Sequence, residues 1–357
     1  MKVYNIAVLE GDGIGPEVMK EALKLLDVIS KKNNVKFHCV KGLVGAAAID
    51  KEGHPFPNST KNICNNSDAI LFGAIGDPKY DNDPKAKIRP EDGLLEMRKF
   101  LGLYANVRPV ITYDSLLDSS PLKKEIISGT NFVVYRELTG GIYFGEKSIS
   151  DDRKYAYDTC SYSIDEIERI SHLAFKEARK RKKELTLVDK ANVLETSRLW
   201  REVVRKISND YPDIDVSYLF VDNAAMKIIT NPKDFDVILT ENMFGDIITD
   251  EASVITGSLG MLPSASIGDK ISLFEPIHGS YPQAVGKGIA NPMAMILSLA
   301  MMLDLSFNLK KESEIILKSI EDALSENFVT IDIDSKNYHT TSEVGDWLSK
   351  RVSDYLG

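Results

Sequence analysis

Short apolar runs of strand length alternate with segments of helical periodicity along this chain. The first two candidate strands run into glycines, which are frequent at the ends of buried strands. An apolar run without polar alternation is typical of a strand that is covered on both faces of a sheet. The strand candidates are residues 3–9, 68–76, 132–138, 185–189 and 235–240.

Helical patterns lie between these runs. Pro16 is placed for a first helical turn, and apolar residues then recur at positions 18, 22, 25, 26 and 29. Ser163 and Glu166 predict a capping box before another amphipathic helix, and residues 199–207 predict a further one. Strands alternating with helices predict an α/β fold. At 357 residues the chain exceeds the size of most single cores, so we expect two domains.

The segment 145–161 differs from the rest because it is polar, rich in tyrosine and without helical period. Two interpretations fit this composition. The segment is either a surface loop or an arm that clasps a second subunit.

Composition narrows the compartment and the partners. The net charge of −9 argues against a nucleic-acid surface. The N-terminus shows no signal-peptide pattern, and the longest apolar run, 294–303, is about half of a membrane span. The three cysteines form no CxxC pair, which indicates reduced thiols and a cytoplasmic protein; they are Cys39, Cys64 and Cys160.

A glycine-rich turn, Gly11-Asp12-Gly13-Ile14-Gly15, follows the first strand. Its third glycine falls one residue early for the GxGxxG fingerprint, and no acidic residue ends the second candidate strand, 35–40. We therefore do not expect a standard Rossmann site. The turn either lines a cleft or is purely structural.

Two carboxylates, Asp246 and Asp250, lie four residues apart. A helix beginning near Gly245 would project both from one face, where their oxygens suit Mg²⁺ or Mn²⁺. A solvated helix face is the alternative. The apolar neighbours that suggest a partly buried element instead are Phe244, Ile247 and Ile248.

Candidate substrate and proton-transfer residues lie in other segments. Arg98, Arg108 and Arg136 each stand at the edge of an apolar or strand-like stretch, and their planar forks suit carboxylates. Lys190 ends a strand and Tyr143 lies in a glycine-rich stretch, so both are candidate proton carriers. The alternatives are surface arginines, an exposed lysine and a core tyrosine.

Together these segments resemble the β-decarboxylating dehydrogenase family, most closely its 3-isopropylmalate dehydrogenase branch. The resemblance covers essentially the whole chain. The most specific motifs are RELTGGIYFGE (136–146), DKANVLE (189–195), VDNAAM (221–226), NMFGDIITDEAS (242–253) and GSLGMLPSAS (257–266).

The resemblance implies a two-domain α/β fold with a large mixed sheet flanked by helices, not a standard Rossmann fold. Its first, cofactor-side domain would comprise residues 1–103 and 257–357. The second, dimerisation domain would comprise residues 104–256 and include the 145–161 arm.

The resemblance also implies chemical roles. Arg98, Arg108 and Arg136 would hold the substrate's carboxylates, Lys190 would be the general base, and Tyr143 would protonate the enol.

The metal site implied by the resemblance is shared between subunits. Asp222, Asp246 and Asp250 would hold Mg²⁺ or Mn²⁺, with Lys190 and Asp222 supplied by the partner subunit. Asp222 would also contact the substrate. This predicts a homodimer whose sites are complete only across the interface.

The implied cofactor is NAD, with Asn192 near the nicotinamide. NAD-preferring relatives often carry an aspartate where this chain has Gln283, so we expect NAD with reduced selectivity over NADP. The other residues of the implied cofactor site are His278, Gly279, Ser280, Ala290 and Asn291.

The implied reaction converts 3-isopropylmalate to 4-methyl-2-oxopentanoate and CO₂ in leucine biosynthesis. Glu91, Leu94, Leu95 and Val193 would line the substrate pocket, and the apolar three suit an isopropyl group. The same chemistry on isocitrate, homoisocitrate or tartrate is the alternative. A catalytically inactive scaffold is disfavoured because every implied catalytic and metal-binding residue is present.

Overall fold

The computed structural model describes residues 1–81 and 88–357. In chain order the strands are β1 (Lys2–Gly11), β2 (Val35–Lys41), β3 (Ala69–Ala74), β4 (Leu103–Ile111), β5 (Asn131–Glu137), β6 (Lys147–Ile149), β7 (Ala156–Asp158), β8 (Glu184–Asp189), β9 (Asp215–Phe220), β10 (Val237–Thr240), β11 (Pro263–Gly268) and β12 (Ser272–Pro276). The α-helices are α1 (Gly15–Lys32), α2 (Ala46–Glu52), α3 (Asn58–Asn65), α4 (Pro78–Asp81), α5 (Pro90–Leu101), α6 (Lys124–Ile127), α7 (Ile164–Lys180), α8 (Glu195–Ile207), α9 (Val221–Thr230), α10 (Asn242–Ser253), α11 (Met293–Leu305), α12 (Lys310–Ser325) and α13 (Thr341–Leu356).

The chain forms two compact units, and the first comprises residues 1–103 and 257–357. Its strands run in the order β2-β1-β3-β12-β11, parallel except for the antiparallel β11–β12 pair. Helices α1, α11 and α13 pack in this unit, and α11 is buried on nearly all sides. The apolar run 294–303 is therefore core. No helix among the described residues is both long and apolar enough to cross a membrane.

The second unit comprises residues 104–256. Its strands run in the order β4-β5-β10-β8-β9, with β4–β5 antiparallel and the other pairs parallel. Helices α7 and α10 pack against this sheet, and Val134, Ile238 and Ile248 belong to one buried cluster. Each unit thus has a mixed sheet flanked by helices, which confirms the predicted α/β class.

The predicted strands and helices are confirmed within a few residues at their ends. The capping box is also present: Ser163 Oγ accepts from the amide of Glu166, whose carboxylate accepts from the amide of Ser163. The strands could be predicted from apolar runs because parallel strands are buried on both faces of a sheet.

The segment 145–161 contains structure that its composition did not predict. Strands β6 and β7 pair antiparallel, so describing the segment simply as a loop was wrong. Each strand has three residues, all exposed, and thus shows no alternation of apolar and polar positions. Whether this ribbon contacts a second subunit stays a prediction.

The glycine-rich turn after β1 is built around a buried aspartate. Asp12 accepts hydrogen bonds from the amides of Ala46, Ala47 and Gly76 at 2.9–3.0 Å. Gly13 has a φ of 58°, and a Cβ there would lie 1.9 Å from the carbonyl oxygen of Ser280. The turn therefore needs glycine at this position, and it supports the loop that carries Ser280.

Candidate active site

Helix α5 presents its predicted site residues on one face. Glu91, Leu94, Leu95 and Arg98 are spaced three, four and seven residues from the first, which places them in line along the helix. Arg98 Nη2 lies 3.6 Å from Glu275 Oε1. The buried Nε of Arg98 has no hydrogen-bond partner among the described residues. A buried donor in this state suits an anionic ligand.

Arg136, Asp246 and Tyr143 form a hydrogen-bonded cluster in the second unit. Arg136 lies near the end of β5, is almost fully buried, and donates to Asp246 Oδ1 through Nη1. Tyr143 Oη donates to Asp246 Oδ2 at 2.8 Å. Burial and the adjacent Asp246 carboxylate both raise the pKa of Tyr143, so the phenol is protonated near neutral pH. The cluster thus joins a cation, a carboxylate and a proton donor.

Asn242 holds Arg136 in this orientation. Its Oδ1 accepts from Nε and Nη2 of Arg136 at 3.1 and 2.9 Å, and its Nδ2 donates to the carbonyl of Gly140. A fork held at two donors keeps its remaining edge in a fixed direction. Asn242 was missed as a site residue, although it begins one of the specific motifs.

A second arginine–aspartate pair lies on β4 and α10. Arg108 Nη1 is 3.2 Å from Asp250 Oδ1 and donates to Thr249 Oγ1 at 2.7 Å. Its Nε donates to Asn106 Oδ1, also at 2.7 Å. Asn106 and Thr249 were not foreseen, but the spacing of two residues on a strand could have placed Asn106 beside Arg108.

Helix α10 carries two of the three predicted metal-binding carboxylates. It begins at Asn242, three residues before the expected Gly245, and Asp246 and Asp250 lie one turn apart. Phe244 and Ile248 are buried, whereas Ile247 is exposed. The helix therefore has one packed face, while the Asp246 and Asp250 side chains are 36% and 73% exposed.

Lys190 and Asp222 form a separate ion pair. Lys190 Nζ donates to Asp222 Oδ1 at 2.5 Å, and the ammonium lowers the pKa of the Asp222 carboxyl. Lys190 follows β8 in a turn closed by the amides of Val193 and Leu194, both 2.9 Å from its carbonyl oxygen. Asn192 and Val193 are exposed on this turn.

One chain does not bring the three predicted metal ligands together. Within residues 1–81 and 88–357, no three acidic, histidine or cysteine side chains are grouped as a metal site. Asp246 and Asp250 are paired with arginines, and Asp222 is paired with Lys190. The carboxylate donors themselves suit a hard divalent cation. That a second chain supplies the third carboxylate stays a prediction.

Apart from Asn192, the predicted cofactor residues lie in the loop after β12 and before α11. The imidazole Nδ1 of His278 lies 3.0 Å from the carbonyl of Gly279, and its Nε2 is buried with no hydrogen-bond partner among the described residues. Burial lowers the pKa of His278, so the ring is neutral. With the proton on Nδ1, Nε2 is an acceptor that fits an amino group such as that of adenine.

The rest of this loop is anchored in the first unit. Ser280 and Ala290 are buried, and Asn291 Nδ2 donates to Asp332 Oδ2 at 3.0 Å. Gln283 lies in the short 3₁₀ turn Pro282–Ala284 and is exposed. Asp332 was missed because it lies about 40 residues from the loop in an irregular segment without a distinctive pattern.

Comparison with known proteins extends these findings. A family model described as isocitrate/isopropylmalate dehydrogenase matches residues 5–348. A 3-isopropylmalate dehydrogenase of Aquifex aeolicus is 55% identical over 339 residues, covering 94% of this chain and 93% of that protein. One from Bacteroides fragilis is 52% identical over 347 residues, covering 97% and 98%.

Solved structures of similar dehydrogenases share the fold of this chain. An isocitrate dehydrogenase from Methylococcus capsulatus superposes with a TM-score of 0.88 at 31% identity, covering 98% of this chain and 99% of that one. A β-decarboxylating dehydrogenase from Thermococcus kodakarensis has a TM-score of 0.82 at 34% identity, covering 99% and 97%.

Proposed function

This chain belongs to the isocitrate/isopropylmalate dehydrogenase family and is a decarboxylating oxidoreductase, and from that premise we propose that it oxidises and decarboxylates 3-isopropylmalate with NAD and a divalent metal ion. The product would be 4-methyl-2-oxopentanoate, formed in leucine biosynthesis in the cytoplasm. The two relatives described above that are named for this substrate are 55% and 52% identical, compared with 31% for the isocitrate dehydrogenase.

The observation that carries the proposal is the cluster of Arg136, Asp246 and Tyr143. An oxidative decarboxylation of a 2-hydroxy diacid needs a cation for a substrate carboxylate, an anionic metal ligand and an acid for the enol. These three side chains are of those types and are joined by hydrogen bonds. Preorganised charges of this kind stabilise developing charge without reorganisation during the reaction.

We assign the binding and proton-transfer steps to side chains of this protein. Arg98, Arg108 and Arg136 bind the substrate's carboxylates, and Lys190, in its neutral amine form, removes the proton of the 2-hydroxyl. When bound, NAD accepts the hydride and the divalent ion polarises the oxygen at C2. Tyr143 Oη, held neutral and directed by Asp246, then donates a proton to the enol carbon left by loss of CO₂.

The metal ion would be held by Asp246 and Asp250 of one chain and Asp222 of a second. Among the described residues no three carboxylates are grouped as a metal site, which supports this division of the site. Exposed apolar residues on α9 and α10, Met226 and Ile247, further support association with a second copy. The protein is therefore proposed to be a homodimer with shared sites.

The cofactor assignment rests on the loop after β12. The neutral His278 imidazole offers adenine an acceptor, Nε2, that has no donor in the described part of the chain, and Asn291 is held by Asp332. Gln283 has an amide where NAD-preferring relatives often carry an acid. The amide can bind a ribose hydroxyl but does not repel a 2′-phosphate. We therefore propose NAD as cofactor, with modest selectivity over NADP.

We assign substrate choice to apolar side chains. Leu94 is half-buried against the core of the first unit, while Leu95 and Val193 are exposed. Glu91 completes the α5 face. Apolar surface suits an isopropyl group better than the third carboxylate of isocitrate, although such pockets discriminate by only about 1–3 kcal/mol per methylene.

A substrate panel tests this proposal. NADH formation is measured with 3-isopropylmalate, isocitrate, homoisocitrate and tartrate at equal concentration, each with Mg²⁺ or Mn²⁺. The highest kcat/KM on 3-isopropylmalate is the expected result. A higher value for any other diacid would show that the pocket residues were misassigned.

A further inference from the structure

A buried hydrogen-bond chain links the turn of Lys190 to the start of α10. The backbone amide of Lys190 donates to Ser197 Oγ at 3.0 Å, and Ser197 Oγ donates to Glu241 Oε1 at 3.3 Å. Ser197 is completely buried and Glu241 nearly so. A hydroxyl that accepts from an amide and donates to a carboxylate couples the positions of these two groups.

Glu241 stands directly before α10, the helix that bears two of the three predicted metal ligands. Its carbonyl oxygen accepts from the amide of Gly245 at 2.9 Å, which forms part of the first turn of α10. Its side chain makes no capping hydrogen bond to that helix. The side chain instead accepts a hydrogen bond from Ser197, which links it to the Lys190 turn.

None of the described residues supplies a compensating cation to Glu241. Within residues 1–81 and 88–357 it makes no ion pair. The charged group that acts on its pKa is Asp189, which is itself paired with Arg201. Cys160 and Tyr162 also face it. Burial and the Asp189 charge raise the pKa of Glu241 to about 7. The carboxyl therefore changes charge within the physiological range.

We propose that Glu241, acting through Ser197, is a positioning residue for the Lys190 turn, and that it holds the turn more firmly when ionised than when neutral. The inference rests on the proposed function only in taking Lys190 as the general base. Nothing in it requires Glu241 to touch substrate.

The difference between the two charge states follows from hydrogen-bond strength. A hydroxyl donates more strongly to a carboxylate than to a neutral carboxyl, and the polarised hydroxyl oxygen in turn accepts more strongly from the Lys190 amide. Glutamine keeps a carbonyl acceptor of the same reach but never ionises. The Glu241→Gln variant should therefore reproduce the neutral state at every pH.

Amide hydrogen exchange at Lys190 measures this directly in the full-length protein and does not depend on turnover. We compare wild type, Glu241→Gln and Ser197→Ala at about pH 6 and about pH 8, after correction for intrinsic exchange. At the higher pH the Glu241→Gln protein should exchange Lys190 about fivefold faster than wild type, and at the lower pH equally fast. Ser197→Ala should exchange faster at both, with no added effect of Glu241→Gln. Ser171→Ala is the matched control, because Ser171 is equally buried and bonds within its own helix.

Kinetics supply the functional half of the test. In Glu241→Gln we expect kcat to fall about fivefold at the higher pH with KM unchanged, and to match wild type at the lower pH. A Lys190 exchange ratio that is the same at both pH values, in an active enzyme, overturns this inference alone. The predicted exchange pattern in a protein that turns over no diacid would overturn the proposed function while supporting the hydrogen-bond chain.

Discussion

Tyr143 donates its hydroxyl proton to Asp246 Oδ2 at 2.8 Å, while the other oxygen of the same carboxylate accepts from Arg136. One carboxylate thus orients the proposed acid and is bound by the proposed substrate-binding cation. The same carboxylate is a proposed metal ligand, so proton delivery and metal binding depend on a single side chain. Substitution of Tyr143 should therefore remove the acid alone, whereas substitution of Asp246 should affect both functions.

Replacing Tyr143 by phenylalanine removes the proton donor and keeps the ring. We expect kcat to fall by about 10²–10⁴-fold, the usual contribution of a general acid, with an unchanged far-UV spectrum. Tyr157→Phe is the matched control, because Tyr157 is equally exposed and its hydroxyl also binds a carboxylate, that of Glu146, at 2.8 Å. Equal activities of the two variants would remove Tyr143 from the mechanism.

Replacing Asp246 by asparagine keeps the shape but removes the charge. We expect metal-dependent turnover to be abolished and Mn²⁺ binding by calorimetry to weaken by at least about tenfold, with folding retained. Asp118→Asn, at a surface ion pair with Lys124, serves as the control. Mn²⁺ binding that survives in the Asp246 variant would contradict the metal assignment.

Sharing of the site between subunits predicts complementation. Lys190→Met and Asp246→Asn homodimers should both be inactive, whereas each mixed dimer holds one intact site. Random assembly of equal amounts then restores about a quarter of wild-type activity. No recovery, with mixed dimers demonstrated by mass spectrometry, would place Lys190 and Asp246 in a site formed by one chain.

The strands of the sheet could be predicted from the sequence because they are buried on both faces, as the apolar runs around Val134 and Ile238 show. Strands β6 and β7 could not, since three exposed residues carry no apolar signal. The arginines and aspartates of the site were identified by motif and residue type. Their pairing was not, because Arg136 and Asp246 lie 110 residues apart and no local pattern reports such a contact.

Glu241 illustrates the same limit. It lies next to a specific motif, yet its importance depends on burial and on Ser197, 44 residues away. Composition and periodicity describe neither feature. A buried carboxylate that no described cation pairs with is visible only once the fold has brought Asp189, Ser197 and Glu241 together.

The Gln283→Asp variant should prefer NAD more strongly. A carboxylate at this position accepts from ribose hydroxyls and repels a 2′-phosphate, so the ratio of kcat/KM for NAD to that for NADP should rise about tenfold. Gln283→Asn controls for the shorter side chain. An unchanged ratio in the aspartate variant would show that position 283 does not contact the ribose.

Glu241 should also make stability depend on pH. Its pKa is raised from the ordinary 4.5 to about 7 in the folded protein, so folding favours the neutral form. That stabilisation is fully present below about pH 4.5 and is lost as the pH rises through about 7. Relative to wild type, Glu241→Gln should therefore gain up to about 3 kcal/mol in free energy of unfolding between about pH 5 and pH 8.

Denaturant unfolding at fixed protein concentration measures this difference. The control is Asp236→Asn, which alters a buried carboxylate that is paired with Arg181. Parallel pH profiles for wild type and Glu241→Gln would show that Glu241 does not titrate in this range.

The central claim is an oxidative decarboxylation of 3-isopropylmalate, and the most direct test follows NADH and CO₂ together during turnover with Mn²⁺, with and without EDTA. The account predicts equal amounts of NADH and CO₂ for each 3-isopropylmalate consumed, and loss of both with EDTA. NADH formed without CO₂, or turnover that persists in EDTA, would contradict it.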